Sequence, residues 1–382
     1  TSGGQFDITV FLLVAFADTQ NGWIFGTKFS MGGEEHTLWK SDNGGMSWET
    51  AFTPTVGMQM MQALPTGQLF AVGEDVFLRS PDGSSYEEVT VPVPSGHTLD
   101  ELFMFNADCG FVVASTDPED GPVTGAVLWT PDGGDTWETR AEGLPYGLGG
   151  MSFVSADLGW LAAKGASEGV ILKTTDGGRS WSPQSQPDHP PPPMSSDPAP
   201  VTECVDVRFF DDMRGVALCL ACTGNCEPTS EEDPSYFTVL SWTSDGGATW
   251  EMDPDYEEKM NAGPFGDLAK ASGMFGMEFP TPNAGFMAGQ NSLILGYVAD
   301  APEADAWPAP ECTTNNNTND NTNDNSNNNN NSNGNGNGSS GVEDGSQLSG
   351  CGCRQVPSPT NTPFSLLFLG VLAALWAGRR LR

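Results

Sequence analysis

Thr174-Thr175-Asp176-Gly177-Gly178-Arg179-Ser180-Trp181 is the stretch whose reading decides the fold. It returns as Thr130-Pro131-Asp132-Gly133-Gly134-Asp135-Thr136-Trp137 and as Thr243-Ser244-Asp245-Gly246-Gly247-Ala248-Thr249-Trp250. A fourth copy, Ser41-Asp42-Asn43-Gly44-Gly45-Met46-Ser47-Trp48, has Asn at the Asp position. A fifth, Ser80-Pro81-Asp82-Gly83-Ser84-Ser85-Tyr86, lacks the second Gly and ends in Tyr. The pattern Ser/Thr-x-Asp-x-Gly-x-Ser/Thr-Trp has the chemistry of a tight turn. The carboxylate accepts backbone N–H groups across the turn, Gly supplies positive φ, and the hydroxyl residues cap locally. The closing Trp is expected to drive its ring into the layer beneath.

A second element precedes each turn. Asn21-Gly22-Trp23-Ile24-Phe25-Gly26, Cys109-Gly110-Phe111-Val112-Val113 and Leu158-Gly159-Trp160-Leu161-Ala162 are three of its copies. Gly67 to Gly73, Arg214 to Ala217 and Ala284 to Met287 continue the series. Third strands read as Thr37 to Lys40, Val76 to Arg79, Ala126 to Trp129, Val170 to Lys173 and Val239 to Trp242. The closing aromatics Trp48, Tyr86, Trp137, Trp181 and Trp250 are spaced 38, 51, 44 and 69 residues apart. That matches the ~40–50 residues of a four-stranded propeller blade. The long interval holds an insertion from Pro187 to Pro200 with four consecutive prolines, which suit an exposed loop and not a central strand. One such sheet cannot bury both faces alone, so the reading is all-β: a six-bladed, or seven-bladed, β-propeller.

The turn resembles the Asp-box, or BNR repeat. The whole unit is similar to propellers of the photosystem II stability/assembly-factor type and, more distantly, to sialidase-like propellers. The resemblance covers about residues 8–300. It implies a structural role for Asn43, Asp82, Asp132, Asp176 and Asp245 with Trp48, Trp137, Trp181 and Trp250, because Asp-boxes brace blades at the periphery. It does not transfer a photosynthetic role.

Formal net charge is -35, and residues 1–312 carry the whole excess with 46 acidic and 11 basic residues. Such a surface repels phosphate backbones and excludes nucleic acid as a partner. The chain opens at Thr1 without a basic n-region, and its N-terminus reads as truncated or already processed. Three segments follow: a propeller over 1–310, a disordered Asn/Gly/Ser-rich linker over 311–349, and a C-terminal tag over 350–382. The tag combines Gly350-Cys351-Gly352-Cys353, a short apolar helix from Phe364 to Ala377, and Arg379-Arg380. It resembles the MYXO-CTERM sorting signal. That resemblance implies cleavage near Cys351 and Cys353, membrane attachment through the tag before processing, and export to the outer surface of a Gram-negative, myxobacterial-type envelope.

In an exported chain, cysteines are expected as disulfides. Cys204–Cys219 and Cys222–Cys226 are the expected pairs, with Cys109 and Cys312 unassigned; zinc ligation by the same four thiolates is the alternative. No cofactor is expected. A sialidase would need three arginines converging on the axis and a Tyr/Glu nucleophile pair. Arg79, Arg140 and Arg179 abut or lie inside the turns, which leaves only Arg208 and Arg214. Other glycosidase chemistry needs a facing carboxylate pair. Asp211, Asp212 and Glu278 are candidates that nothing in the sequence selects. The expected function is therefore non-catalytic: a cell-surface scaffold binding a protein or glycan through the axial face or the inserted loops Asp117–Val123, Gln186–Pro200 and Gly224–Asp233. An exported glycoside-active enzyme and an assembly factor for an envelope complex are the alternatives.

Overall fold

The structure is a computed structural model that describes residues 8–116, 122–165, 168–184, 201–223, 235–252, 274–281, 284–289 and 294–298. Among them every regular element is a β-strand. The linker, the C-terminal tag, residues 117–121, 185–200 and 224–234 of the inserted loops, Cys226 and Cys312 lie outside the described residues.

The strands form consecutive antiparallel sheets, each in simple chain order. The first holds β1 (Ile8–Phe16), β2 (Gly22–Ser30), β3 (Gly33–Ser41) and β4 (Glu49–Phe52). The second holds β5 (Met60–Ala63), β6 (Leu69–Gly73), β7 (Val76–Ser80) and β8 (Glu87–Thr90). The third holds β9 (His97–Met104), β10 (Gly110–Thr116), β11 (Gly125–Thr130) and β12 (Glu138–Leu144). The fourth holds β13 (Gly147–Phe153), β14 (Gly159–Lys164), β15 (Gly169–Thr174) and β16 (Ser182–Pro183). The fifth holds β17 (Val201–Phe209), β18 (Gly215–Thr223), β19 (Ser235–Thr243) and β20 (Glu251–Met252). Three further strands, β21 (Met274–Thr281), β22 (Ala284–Gly289) and β23 (Ile294–Val298), make the sixth. The first strand of each sheet lies against the first strand of the next, so the sheets radiate from a common axis as β-propeller blades do. Segments 253–273 and 299–310, on which a seventh blade and ring closure depend, lie outside the described residues.

Burial explains the sequence pattern. A middle strand has a neighbouring sheet on both faces, so β6, β10 and β11 are almost continuously buried and apolar. The outermost β12 is exposed or half-buried throughout and reads Glu138-Thr139-Arg140-Ala141-Glu142. The apolar clusters sit between sheets. Phe103, Phe111 and Val127 of the third sheet pack with Phe153, Leu161 and Leu172 of the fourth. Phe111 and Phe153 stack face to face, 4.2 Å between centroids. Trp160 and Phe209 make the same contact between fourth and fifth. Each fully buried ring of this kind contributes roughly 2–3 kcal/mol.

The turn motifs seal these seams. Tyr86, Trp137, Trp181 and Trp250 each pack on the cluster shared with the preceding sheet. Only Trp250 is buried; Trp48, Trp137 and Trp181 stay half-buried, because they cap the seam from the rim. Inside each turn the geometry repeats. Thr130 Oγ1 donates to Asp132 Oδ1 (3.0 Å) and accepts from the Gly134 N–H (2.7 Å). Asp132 then accepts from the Thr136 N–H at Oδ1 (2.8 Å) and the Thr136 hydroxyl at Oδ2 (2.6 Å). Asp176 with Thr174 and Ser180, and Asp245 with Thr243 and Thr249, make the same set. Asn43 substitutes by donating Nδ2–H to Ser47 Oγ. The shortened fifth copy lets Asp82 reach the N–H groups of Ser84 and Ser85, and leaves Ser80 Oγ without a partner among the described residues. Gly134 must be glycine twice over: its φ is +98°, and a Cβ there would stand 2.8 Å from the Phe77 ring of the preceding sheet.

We propose that these side chains brace the blades. Asp176→Ala removes an acceptor used by two hydroxyls and two N–H groups. It is expected to lower unfolding free energy by roughly 1–3 kcal/mol, read as a drop in urea midpoint; an unchanged midpoint contradicts the bracing role.

Candidate axial site

Two sets of polar side chains link sheet to sheet. Near the axis, a side chain of one sheet accepts a backbone N–H of the next. Gln62 takes the Met104 N–H (2.7 Å), Ser115 that of Leu148 (2.9 Å), Ser152 that of Phe209 (2.9 Å) and Asp206 that of Met277 (3.0 Å). At the rim a cation of one sheet donates to the first Gly carbonyl of the next turn motif. Lys40 reaches Gly83 O (2.6 Å), Arg79 Gly133 O (2.9 Å), Arg140 Gly177 O (3.3 Å) and Lys173 Gly246 O (2.9 Å). Trp23, Trp129 and Trp160 lie beneath Lys40, Arg140 and Lys173 as aromatic floors.

The arginines are thereby accounted for. Arg79 also pairs with Glu87 and Asp135, Arg140 with Glu138, and Arg179 with Glu138. Arg214 binds Asp211 in the β17–β18 turn, so that turn, not the axis, holds both. Arg208 alone stands on a first strand, 3.9 Å from Glu278 of β21. Among the described residues the five arginines are thus held in separate turns and seams and do not form a triad.

The structure does select acids that sequence reasoning missed. Five of the six first strands break register along their length, at Leu12, Asp100, Gly149-Gly150, Val205 and Phe275. Such bulges re-aim neighbouring side chains and concentrate near functional sites. Two of them adjoin Glu101 on β9 and Asp206 on β17. Each acid keeps some accessible surface yet is surrounded by protein. Burial, with the charges of Asp206 and Asp100, pushes the Glu101 carboxyl up to about 8. Burial and Glu278 push Asp206 up to about 7 against the opposing pull of the Met277 and Val207 N–H groups and Arg208. Gly150 of β13 makes room: a Cβ there would collide with the Asp206 carboxylate. Asp206 thus touches three sheets. Its Oδ1 accepts from Val207 and its Oδ2 from Met277, so both oxygens are committed to backbone. Among the described residues Glu101 Oε1 accepts only from its neighbour Leu102 (3.1 Å), and at neutral pH its protonated form is a hydrogen-bond donor. The only sequence signal was acids flanked by apolar residues in first strands, Leu99-Asp100-Glu101-Leu102 and Val205-Asp206-Val207.

Cys204 and Cys219 face each other on β17 and β18 and form a disulfide. Cys109 is a buried thiol that donates to the Pro131 carbonyl (3.8 Å), and among the described residues no His/Cys/Asp/Glu group is arranged to hold a metal ion.

The two ends of the molecule differ. The β1–β2 and β3–β4 turns meet through the Gly44 N–H and Gln20 O, and the later sheets repeat this through Gly133, Gly177 and Gly246. All motif turns therefore share one end. Segments 117–121, 185–200 and 224–234 connect β10 to β11, β16 to β17 and β18 to β19, so their anchoring strand ends all lie at the opposite end. The described lysines there, Lys28 and Lys164, pair with Glu35 and Glu203.

Against known proteins, no family model matches this chain, and no curated protein does. Among solved structures it is similar to YCF48 bound to D1 peptide, with TM-score 0.43, 18% identity and coverage of 78% of this chain and 95% of that one. YCF48 from Cyanidioschyzon merolae gives 0.42, 15%, 76% and 95%. The Trypanosoma rangeli sialidase in complex with 2,3-difluorosialic acid gives 0.40, 10%, 76% and 53%. No family is shown. Likenesses this distant carry no functional argument, and the propeller rests on the sheets themselves.

Proposed function

We propose that this chain is a non-catalytic binding scaffold, sorted to the outer surface of a bacterial envelope, that receives a protein or glycan partner on the end opposite its motif turns. One observation carries this reading. The three inserted segments all join strands at that end, while the motif turns and cation links occupy the other. A stack of sheets with sequence length concentrated on one end is built as a scaffold presenting loops. The commitment of Asp206 to two backbone amides supports it, since a glycosidase needs two carboxylates free to reach substrate. The surface location rests on residues 350–382.

The test uses the full chain, displayed on cells and also purified. Partner capture from solubilised envelope and binding to a glycan panel are compared with a variant in which 185–200 and 224–234 are shortened to Gly-Ser links. Saturable binding lost in that variant, together with protease accessibility on intact cells, is the expected result. Binding that survives the shortening overturns the placement.

A glycoside-active enzyme is the second reading, favoured by the protonated Glu101 near the axis, a state suited to a general acid. Turnover on any glycan of the panel, abolished by Glu101→Gln, would establish it over the first.

A further inference from the structure

Two Asn-Gly steps occur among the described residues, Asn21-Gly22 and Asn43-Gly44. Such a step invites deamidation, because a glycine hinders least the attack of its own backbone nitrogen on the preceding side-chain amide. The fold treats the two steps differently. Gly22 opens the middle strand β2, paired with Phe16 on one side and Ser41 on the other. It is buried, and a Cβ there would stand 2.4 Å from the Phe16 ring. The Asn21 amide donates to the Asp18 carboxylate (2.8 Å), whose charge opposes negative charge building on that amide. Gly44 is exposed in its turn, and its N–H is tied to the carbonyl of the exposed Gln20 (2.9 Å).

The turn around Asn43 is also suited to the reaction. Its amide Oδ1 accepts from the buried Ser41 hydroxyl (2.9 Å) and from the Ser47 N–H (3.0 Å), while Nδ2 donates to Ser47 Oγ (2.7 Å). Two donors at Oδ1 stabilise the oxyanion that forms when Cγ is attacked. We propose that Asn43 is a self-processing site, which deamidates within the folded chain to aspartate. The Gly44 nitrogen leaves Gln20, bonds to Cγ and gives its proton to water; the Cγ–Nδ2 bond breaks and ammonia departs. Water then adds to Cγ of the cyclic imide under the same two donors. The bond from Cγ to the Gly44 nitrogen breaks, and that nitrogen regains a proton. One water is consumed and one ammonia released. Because the donors activate Cγ and not the backbone carbonyl, the product is aspartate and not isoaspartate, whose chain runs through Cγ. The product matches its counterparts. Asp132, Asp176 and Asp245 take both the N–H and the hydroxyl of Thr136, Ser180 and Thr249. The Ser47 hydroxyl thereby turns from acceptor to donor, and the first motif acquires the bonding of the other three.

Peptide-resolved mass spectrometry reads the conversion directly. The freshly made full chain is kept folded at neutral pH, or unfolded in urea, and sampled over time. Tryptic fragments 1–28 and 41–79 hold Asn21 and Asn43 separately. In the folded chain, conversion at Asn43 is expected to run on the order of tenfold faster than at Asn21, with aspartate as the main product. In urea the two sites are expected to react alike and to give both isomers. Ser41→Ala removes one donor and is expected to slow conversion at Asn43. Ser41→Thr is expected to keep the rate, since Thr130, Thr174 and Thr243 hold the same position in their turns. A hydroxyl that merely braced the turn would give the opposite sign, because loosening the turn frees Gly44. Equal rates at the two sites of the folded chain, isoaspartate in the proportion found in urea, or faster conversion in Ser41→Ala overturns the proposal. If Ser41→Ala fails to fold, the rate ratio and the isomer ratio of the unmodified chain decide the question by themselves.

Discussion

The folded protein is expected to lose stability as the pH rises from 5 to 8, opposite to the behaviour of a protein held by ordinary salt-bridged carboxylates. The cause is the axial pair. Glu101 moves from 4.5 to about 8 and Asp206 from 3.8 to about 7 on folding. Between the unfolded and folded values the folded state binds more protons than the unfolded state. Unfolding free energy therefore falls with pH across that window. Each pH unit of displacement is worth about 1.4 kcal/mol. The two groups repel one another, so their combined effect is roughly a few kcal/mol, less than the simple sum.

Below about pH 4 the turn carboxylates act in the other direction. Bonds from the Thr249 side chain and backbone hold Asp245 down at about 2. Burial alone would raise Asp176, but the Ser180, Thr174 and Arg179 bonds keep it below its usual range. Their stabilisation is present at neutral pH and is lost as they protonate. The expected profile is a maximum near pH 5 with decline on both sides, measured as urea midpoints, since urea does not screen charge as guanidinium does. Glu101→Gln is expected to flatten the decline on the alkaline side while leaving the acid side intact. A midpoint that rises from pH 5 to 8, or a Glu101→Gln variant with an unchanged slope, refutes the assignment.

Replacing both Cys204 and Cys219 by Ala is expected to lower unfolding free energy by about 3 kcal/mol, the chain-entropy value for a loop of this length. The bridge spans 15 residues, joins β17 to β18, and lies buried in the cluster shared with the fourth sheet. Its removal frees the unfolded chain around the register break that sets Asp206 on its strand. The axial tie to Met277 should weaken with it. The urea midpoint of the double variant, set beside that of the oxidised protein, checks the first claim, and amide exchange at Met277 checks the second. Equal midpoints would mean that the bridge is structurally idle.

The division between what was legible in the sequence and what was not follows sequence distance. The turn motif is local: Asp176, its two capping hydroxyl residues and its glycines sit within eight positions. Spacing alone therefore announced the turns, the four-stranded unit and its repetition. The Cys204–Cys219 pair was legible for a similar reason, because two strands joined by one short turn bring both thiols into register. The sites between sheets were not legible. Lys40 and Gly83, Arg140 and Gly177, or Lys173 and Gly246 are tens of residues apart, and their pairing exists only once neighbouring sheets stack. Asp211 and Arg214 looked free for chemistry in the sequence, and the β17–β18 turn uses both on each other. Glu101 and Asp206 looked like two among 46 acids; the register breaks and the convergence of first strands bring their charges within each other's reach. By itself the sequence determined the repeating unit, since the hydrogen bonds that define it close within one turn. Only the tertiary structure decided which charges are spent holding sheets together and which remain near the axis, because burial and the approach of distant carboxylates are properties of the packed sheets.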